Sequence, residues 1–374
     1  MHAHTTPASN RFTVTYRVRG TAPEIEARAL GIAVEQSVEM PLAAIDDAAV
    51  LSDIVGAVEG IEDTGGGLFH VRIGLATATV GQDAGQFLNM LFGNTSLHDD
   101  VALWDVAVPE ALAEAFGGPR HGIAALRHRL KLHGRAMTGS ALKPQGLPPE
   151  RLAVLAEHLA RGGLDFIKDD HGLANQSYSQ FAERVCACAA GVARGVRATG
   201  HPTRYIPSVT GDLDQMRAQA ALAREEGLDC LMVAPMISGF SAFQALVRAF
   251  PEMAFFAHPS LGGAARIAPD LLIGSLFRLI GADAVIFPTY GGRFGYSQDT
   301  CRRLAANARR SDDGMKPALP VPAGGIGLER VREILDFYGE DTMLLIGGSL
   351  LLAREHIIQA TEQFTRAVAD HALI

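Results

Sequence analysis

Only four of the 33 basic residues in this 374-residue chain are lysines: Lys131, Lys143, Lys168 and Lys316. Arginine stays protonated and cannot do amine chemistry, so each lysine is worth a question. A neutral lysine amine can act as a base, form a Schiff base, or capture carbon dioxide as a carbamate. The carbamate would turn a cation into an anionic oxygen ligand. Lys168 opens the run Lys168-Asp169-Asp170-His171. Clustered oxygens suit a hard divalent cation. Alternate residues of a strand share a face, so Lys168 and Asp170 could point to one side. The same run also fits a solvated strand end with an aspartate helix cap, and Lys143 also fits a rim salt bridge. Further along stand His258, after Phe255-Phe256-Ala257, and the pairs Gly324-Gly325 and Gly347-Gly348. Glycine loops leading into helices can hold a phosphate on backbone N–H groups, although single glycine pairs also make plain turns.

These residues need a frame, and the hydrophobic pattern supplies one. From about residue 135 short apolar runs alternate with longer helical runs, eight times. The predicted strands are 137–142, 164–168, 204–208, 229–234, 253–257, 284–287, 319–322 and 343–346. Between them run 3.6-period stripes such as Phe181, Val185, Cys188, Val192 and Val196, or Leu328, Val331, Ile334, Leu335 and Tyr338. Eight βα units predict an α/β fold with a C-terminal (β/α)8 TIM barrel; a doubly wound open sheet is the competitor. A barrel's active site lies at the C-terminal ends of its strands. Lys143, Lys168–His171, His258, the loop to Arg293 and both glycine pairs fall there. Residues 1–134 read instead as an α+β domain before a barrel domain of 135–374. Phe12, Val14, Tyr16 and Val18 alternate like a half-buried strand, 23–37 and 84–92 read as helices, and 68–80 as strand.

Composition narrows the classes further. A net charge of -8 argues against a nucleic-acid scaffold. With 48% hydrophobic and 20% charged residues there is material for a large core. The four cysteines show neither metal-ligand spacing nor a disulfide framework. The start MHAHTTPASNRF does not look like a leader, and no window reads as a membrane span, so a cytoplasmic protein is expected.

Lys143 lies in SALKPQGL and Lys168 in GGLDFIKDDH. GGPRHGI stands at 117–123, AGGI at 323–326 and IGGS at 346–349. In this order, over nearly the whole chain, the segments resemble the large subunit of ribulose-bisphosphate carboxylase. They resemble its non-carboxylating relatives, the RuBisCO-like proteins, most. The KP and GGLDFxKDD segments are specific, and the glycine pairs are supporting. The resemblance implies a ferredoxin-like N-terminal domain, a catalytic barrel, and a homodimer with shared active sites. It implies Mg2+ held by a carbamylated Lys168 with Asp170 and the next residue, and Lys143 as acid/base. It further implies Asn94 and Glu35 as N-domain site residues, and one phosphate on Gly324, Gly325, Gly347 and Gly348.

The chain departs from the family where function would change. His171 replaces the third metal carboxylate, and imidazole suits Zn, Mn or Fe better than Mg2+. A different metal, or none, is therefore an alternative. Pro259 stands where the family has an arginine for the second phosphate, and Ile286 where it has a histidine. Arg293 is the nearest candidate for the lysine of the strand-six loop. Carboxylation is not expected. The expectation is enolisation of a keto sugar with one phosphate, an isomerase or enolase reaction on a substrate such as a methylthio-ribulose phosphate. The apolar tail would meet Ile286, Phe287 and Pro259. A decarboxylase or C–C lyase of a β-keto acid phosphate, with Arg293 on the carboxylate, is the alternative. A non-catalytic ligand-binding protein is another, and a Schiff-base aldolase a weaker one.

Overall fold

The computed structural model describes residues 10–371, which form two compact units. The first comprises residues up to Phe116 together with Gly263–Leu271. Its strands are β1 (Arg11–Arg19), β2 (Ala57–Gly65), β3 (Leu68–Ala76) and β4 (Val101–Ala107). They form one antiparallel sheet in the order β2-β3-β1-β4. Helix Ile25–Glu35 joins β1 to β2, and helix Ala84–Phe92 joins β3 to β4. This is the βαββαβ arrangement of a ferredoxin-like domain. The alternation in β1 buries Phe12, Val14, Tyr16 and Val18 against the helices, as expected. Gly65, Gly66 and Gly67 all have positive φ and turn β2 back into β3. The strand expected over 68–80 stops at Ala76, because Thr77–Thr79 coils into a 3-10 turn.

The second unit holds Gly117–Gly262 and everything from Leu272 onward. Its start lies upstream of 135, because helix Gly122–Leu130 sends Ile123, Leu126 and Leu130 into the barrel core. Eight strands follow: β5 (Met137–Leu142), β6 (Phe166–Asp169), β7 (Arg204–Ile206), β8 (Cys230–Val233), β9 (Ala254–Ala257), β10 (Ala284–Pro288), β11 (Leu319–Ala323) and β12 (Met343–Leu345). All pair in parallel, in the orders β12-β5-β6-β7 and β8-β9-β10-β11. At one seam Met232 donates to Pro207 O at 2.9 Å and Val209 to Met232 O at 2.8 Å. At the other, Thr342 Oγ1 donates to Pro320 O at 3.0 Å. The ring is thus a (β/α)8 barrel. Met137, Phe166, Ile206, Met232, Phe256, Ile286, Val321 and Met343 fill its interior. Opposite faces of the same strands bury against helices, which is why the strands read as unbroken apolar runs.

The segment 263–271 was invisible as a separate piece because it interrupts the barrel's rhythm. It pairs instead with the first unit: Leu103 donates to Arg266 O and Ala268 to Leu103 O, each at 2.9 Å.

Candidate active site

Lys143 follows β5, and Lys168–Asp170 straddle the end of β6. The two strands are in register, with Ala141 opposite Lys168 and Leu142 opposite Asp169. That pairing sets Lys143 beside Asp170, and Lys143 Nζ lies 2.5 Å from Asp170 Oδ1. The same oxygen lies 3.2 Å from His171 Nδ1. Lys168 is buried and donates from Nζ to Asp169 O at 2.7 Å. His258, at the end of β9, stacks its ring on that of His171, with centroids 4.5 Å apart and planes within 5°. Of the residues singled out from the metal run and the strand ends, Lys143 and His171 therefore meet at Asp170, and His258 joins them through the His171 ring.

Asp169 turns the opposite way, as strand alternation requires. Its Oδ2 accepts from Arg184 Nε and from the Ser208 N–H, each at 3.1 Å, and its Oδ1 from Tyr205 OH at 2.7 Å. The Asp169 and Arg184 side chains are both 0% exposed. This ion pair ties the end of β6 to helix Phe181–Thr199 and so fixes the flanking Lys168 and Asp170. Sequence reasoning missed Arg184, Tyr205 and Ser208. One signal was there: Arg184 sits three residues after Phe181 and four before Cys188, a charge on the apolar stripe.

The electrostatics follow from this packing. Burial pushes the Lys168 ammonium down to about 8; the Lys143 charge adds to that effect and Asp170 opposes it. Burial works to raise Asp170, but hydrogen bonds from His171 and Lys143 and both lysine charges hold it well below the usual carboxylate range. Burial, then the charges of Lys168 and His171, pushes His258 far below the ordinary histidine value.

Whether these groups fit a divalent cation turns on Lys168. Among the described residues no three His, Cys, Asp or Glu side chains are arranged to hold a metal ion. Two ammonium groups beside one carboxylate would repel a cation. A carbamate on Lys168 reverses that charge and adds oxygen ligands to Asp170 and His171. A buried amine whose neutral form lies within reach of physiological pH is the form that reacts with carbon dioxide. With that modification the donor set fits; without it, it does not.

The glycine loops are tied together. Ser349 Oγ, after Gly348, donates to Ile326 O, after Gly325, at 2.8 Å. A Cβ on Gly347 would lie 3.9 Å from Lys143 Cε, so this loop borders the lysine. Gly325 has φ +114°, and a Cβ there would come within 2.9 Å of Gly292 Cα. Arg293 is exposed, lies over the Phe294 ring at 5.5 Å, and donates its N–H to Gly324 O at 2.9 Å. Among the described residues none of its contacts is with Lys143, Lys168 or Asp170.

In the first unit Asn94 Nδ2 donates to Glu35 Oε1 and to Glu39 Oε1, each at 3.0 Å. Glu39, at φ +53°, was not foreseen. One expectation needs correction. Ile286 and Phe287 cannot share an apolar pocket, because they are consecutive in β10 and face opposite ways. Ile286 belongs to the barrel interior, whereas Phe287 packs on Tyr338 with ring centroids 5.8 Å apart.

A parallel barrel with lysine, carboxylate and imidazole side chains gathered at the strand C-termini has the architecture of a barrel enzyme. Over residues 122–360 the sequence matches the catalytic domain of the ribulose bisphosphate carboxylase large chain. It is 57% identical to a Rhodospirillum rubrum protein named 5-methylthioribulose-1-phosphate isomerase, over 97% of this chain and 98% of that one. It is 32% identical to a 2,3-diketo-5-methylthiopentyl-1-phosphate enolase of Geobacillus kaustophilus, over 75% of this chain and 70% of that protein. The crystal structure of a Rubisco-like protein from Rhodopseudomonas palustris superposes with a TM-score of 0.91 at 48% identity, covering 97% of this chain and 98% of that one. The chain belongs to the ribulose-bisphosphate carboxylase large-chain family, among its RuBisCO-like members. No helix of the described residues is long and apolar enough to cross a membrane.

Proposed function

We propose that this protein enolises a phosphorylated keto sugar, as an isomerase acting on a methylthio-ribulose phosphate. The observation that carries the reading is the contact of Lys143 Nζ with Asp170 Oδ1 at 2.5 Å, in a site where His171 Nδ1 lies against the same oxygen and the Lys168 charge acts on the same carboxylate. The name borne by the Rhodospirillum rubrum relative supports the substrate class.

Lys168 as a carbamate, Asp170 and His171 would hold a divalent cation, Mg2+ or a metal more tolerant of imidazole. Bound there, it would polarise the substrate carbonyl and so acidify the α-carbon. Lys143 moves the proton: it takes one from the carbon beside the carbonyl and returns one to the other carbon of the enediolate. As an ammonium it also donates to the oxygen where negative charge develops. Gly324, Gly325, Gly347 and Gly348 hold the phosphate through backbone N–H groups. Pro259, partly exposed after His258, leaves an apolar rather than an anionic place for the substrate's far end. Glu35 and Asn94 serve the substrate in this reading, with Arg293 on the loop after β10. The homodimer expected from the resemblance is part of the proposal, and sedimentation reads it.

The test is proton NMR in D2O with Mg2+, bicarbonate and a panel of keto-sugar monophosphates, including 5-methylthioribulose 1-phosphate. Exchange of the α-proton with conversion of that sugar is expected. Lys143→Met should abolish exchange while leaving phosphate-ester binding nearly intact. Carbon dioxide release from a β-keto acid phosphate, with no exchange in the methylthio sugar, would replace this reading with the decarboxylase.

A further inference from the structure

The turn after β9 contains an arrangement that the reaction outlined above leaves unused. His258 Nδ1 receives two groups of Ser260: the backbone N–H at 3.2 Å and the hydroxyl Oγ at 2.8 Å. A backbone N–H can only donate. Nδ1 must therefore present its lone pair, and a neutral His258 must carry its proton on Nε2. Nε2 makes no hydrogen bond among the described residues and is not sealed from solvent.

The backbone is bent to achieve this. Leu261, the next residue, takes φ +66° although it is not glycine and is 59% exposed. A left-handed leucine costs of order 1 kcal/mol and persists only where its surroundings hold it there. Gly262 N–H closes the turn on Pro259 O at 2.9 Å. The exposed Leu261 side chain gains no burial from the conformation. What the turn secures is the position of Ser260 behind the imidazole.

We infer that Ser260 is a positioning residue that fixes His258 as the Nε2–H tautomer, so that His258 serves the reaction as a neutral hydrogen-bond donor and not as its base. The inference rests on the proposed enolisation for its consequence. A donor aimed at a substrate oxygen supports the negative charge of the enediolate, while the proton itself travels through Lys143. The stacked His171 ring completes the restraint, since the parallel faces leave His258 little freedom to flip.

Two measurements separate this from a merely structural role. Nitrogen-15 NMR of histidine-labelled protein, without substrate, reads the tautomer directly. The expected His258 signature is an unprotonated Nδ1 and a protonated Nε2, with Ser260→Ala giving a mixture of the two tautomers. A protonated Nδ1 in the wild-type protein overturns the inference. Kinetics supply the second reading. His258→Gln keeps an amide N–H near the place of Nε2, whereas His258→Leu keeps none. The expected result is that Gln restores kcat at least tenfold over Leu with KM little changed. Equal loss in both variants overturns the donor role. If no methylthio-ribulose phosphate turns over, the proposed function fails while the tautomer signature still stands or falls by itself.

Discussion

The pair Asp169–Arg184 offers a sharp test of how the site is held. Arg184→Met keeps most of the buried stem and removes the guanidinium. Asp169 would then be a buried carboxylate with two donors left, Tyr205 OH at 2.7 Å and the Ser208 N–H at 3.1 Å. Removing one partner of a buried pair costs about 3–5 kcal/mol, and the two surviving donors place this case near the lower end, about 3 kcal/mol. For a unit of this size about 2–4 °C is lost per kcal/mol, so the melting temperature should fall by roughly 6–12 °C. Adding Asp169→Asn removes the stranded charge and keeps an oxygen for Tyr205. The double variant should recover most of the loss, to within about 1 kcal/mol of the parent. Thermal and urea unfolding of the parent, both single variants and the double variant measure the coupling. Losses that simply add would show that the two charges do not act as a unit, and the reasoning would be refuted. Because Lys168 and Asp170 flank Asp169, α-proton exchange should also drop in the single variants. Tyr205→Phe removes one hydrogen bond to a charged group and is the milder probe, at about 1.5–3 kcal/mol.

Three further outcomes are expected. Gly325→Ala combines φ +114° with an approach of 2.9 Å to Gly292 Cα, so it should displace the loop; KM for a phosphate ester should rise much more than the melting temperature falls. Burial raises the Asp165 carboxyl, but hydrogen bonds from His201 and Arg135, the Arg135 charge and the Thr138 N–H outweigh it, so the net shift is downward. A depressed folded pKa contributes stability above the unfolded value of about 3.9, which is lost as pH falls through the folded value; Asp165→Asn should therefore flatten the acid limb of a urea-midpoint profile below about pH 4, and an unchanged limb would contradict the assignment. His171→Glu should tighten Mg2+ binding in bicarbonate, measured by calorimetry, because a carboxylate is the better ligand for a hard cation; unchanged affinity would place His171 outside the ligand set.

The sequence conveyed the barrel well because its strands are buried on both faces and read as short apolar runs between amphipathic helices. β5 coincides with the predicted 137–142, and the other seven strands differ only at their ends. The first unit was harder. β2, AVEGIEDTG, is an edge strand with mostly exposed residues, and no apolar alternation marks it. At the site, types and spacing led to Lys143, Lys168, Asp170 and His171, since one strand end and one register step bring them together. Asp169 stood in the same run, yet its partners come from a helix, from β7 and from the segment just after β7, contacts that no local spacing encodes. Ser260 was two residues from His258, but its role depends on a turn conformation that a leucine adopts against its own preference.

In the proposed mechanism the charges make Lys168 the deciding residue. Asp170 is one carboxylate facing two amines, and the 2.5 Å contact shows which amine it engages without a modification. In that state Lys143 Nζ is engaged by Asp170 and is not free to take a proton from carbon. A carbamate on Lys168 would change both conditions together. It would supply negative charge for a cation, and the cation would compete with Lys143 for Asp170. Lys143 would then be released from Asp170 toward the substrate. In the proposed mechanism the modification that would complete the ligand set would also free the base. Exchange activity should rise with bicarbonate and metal together, and with neither alone.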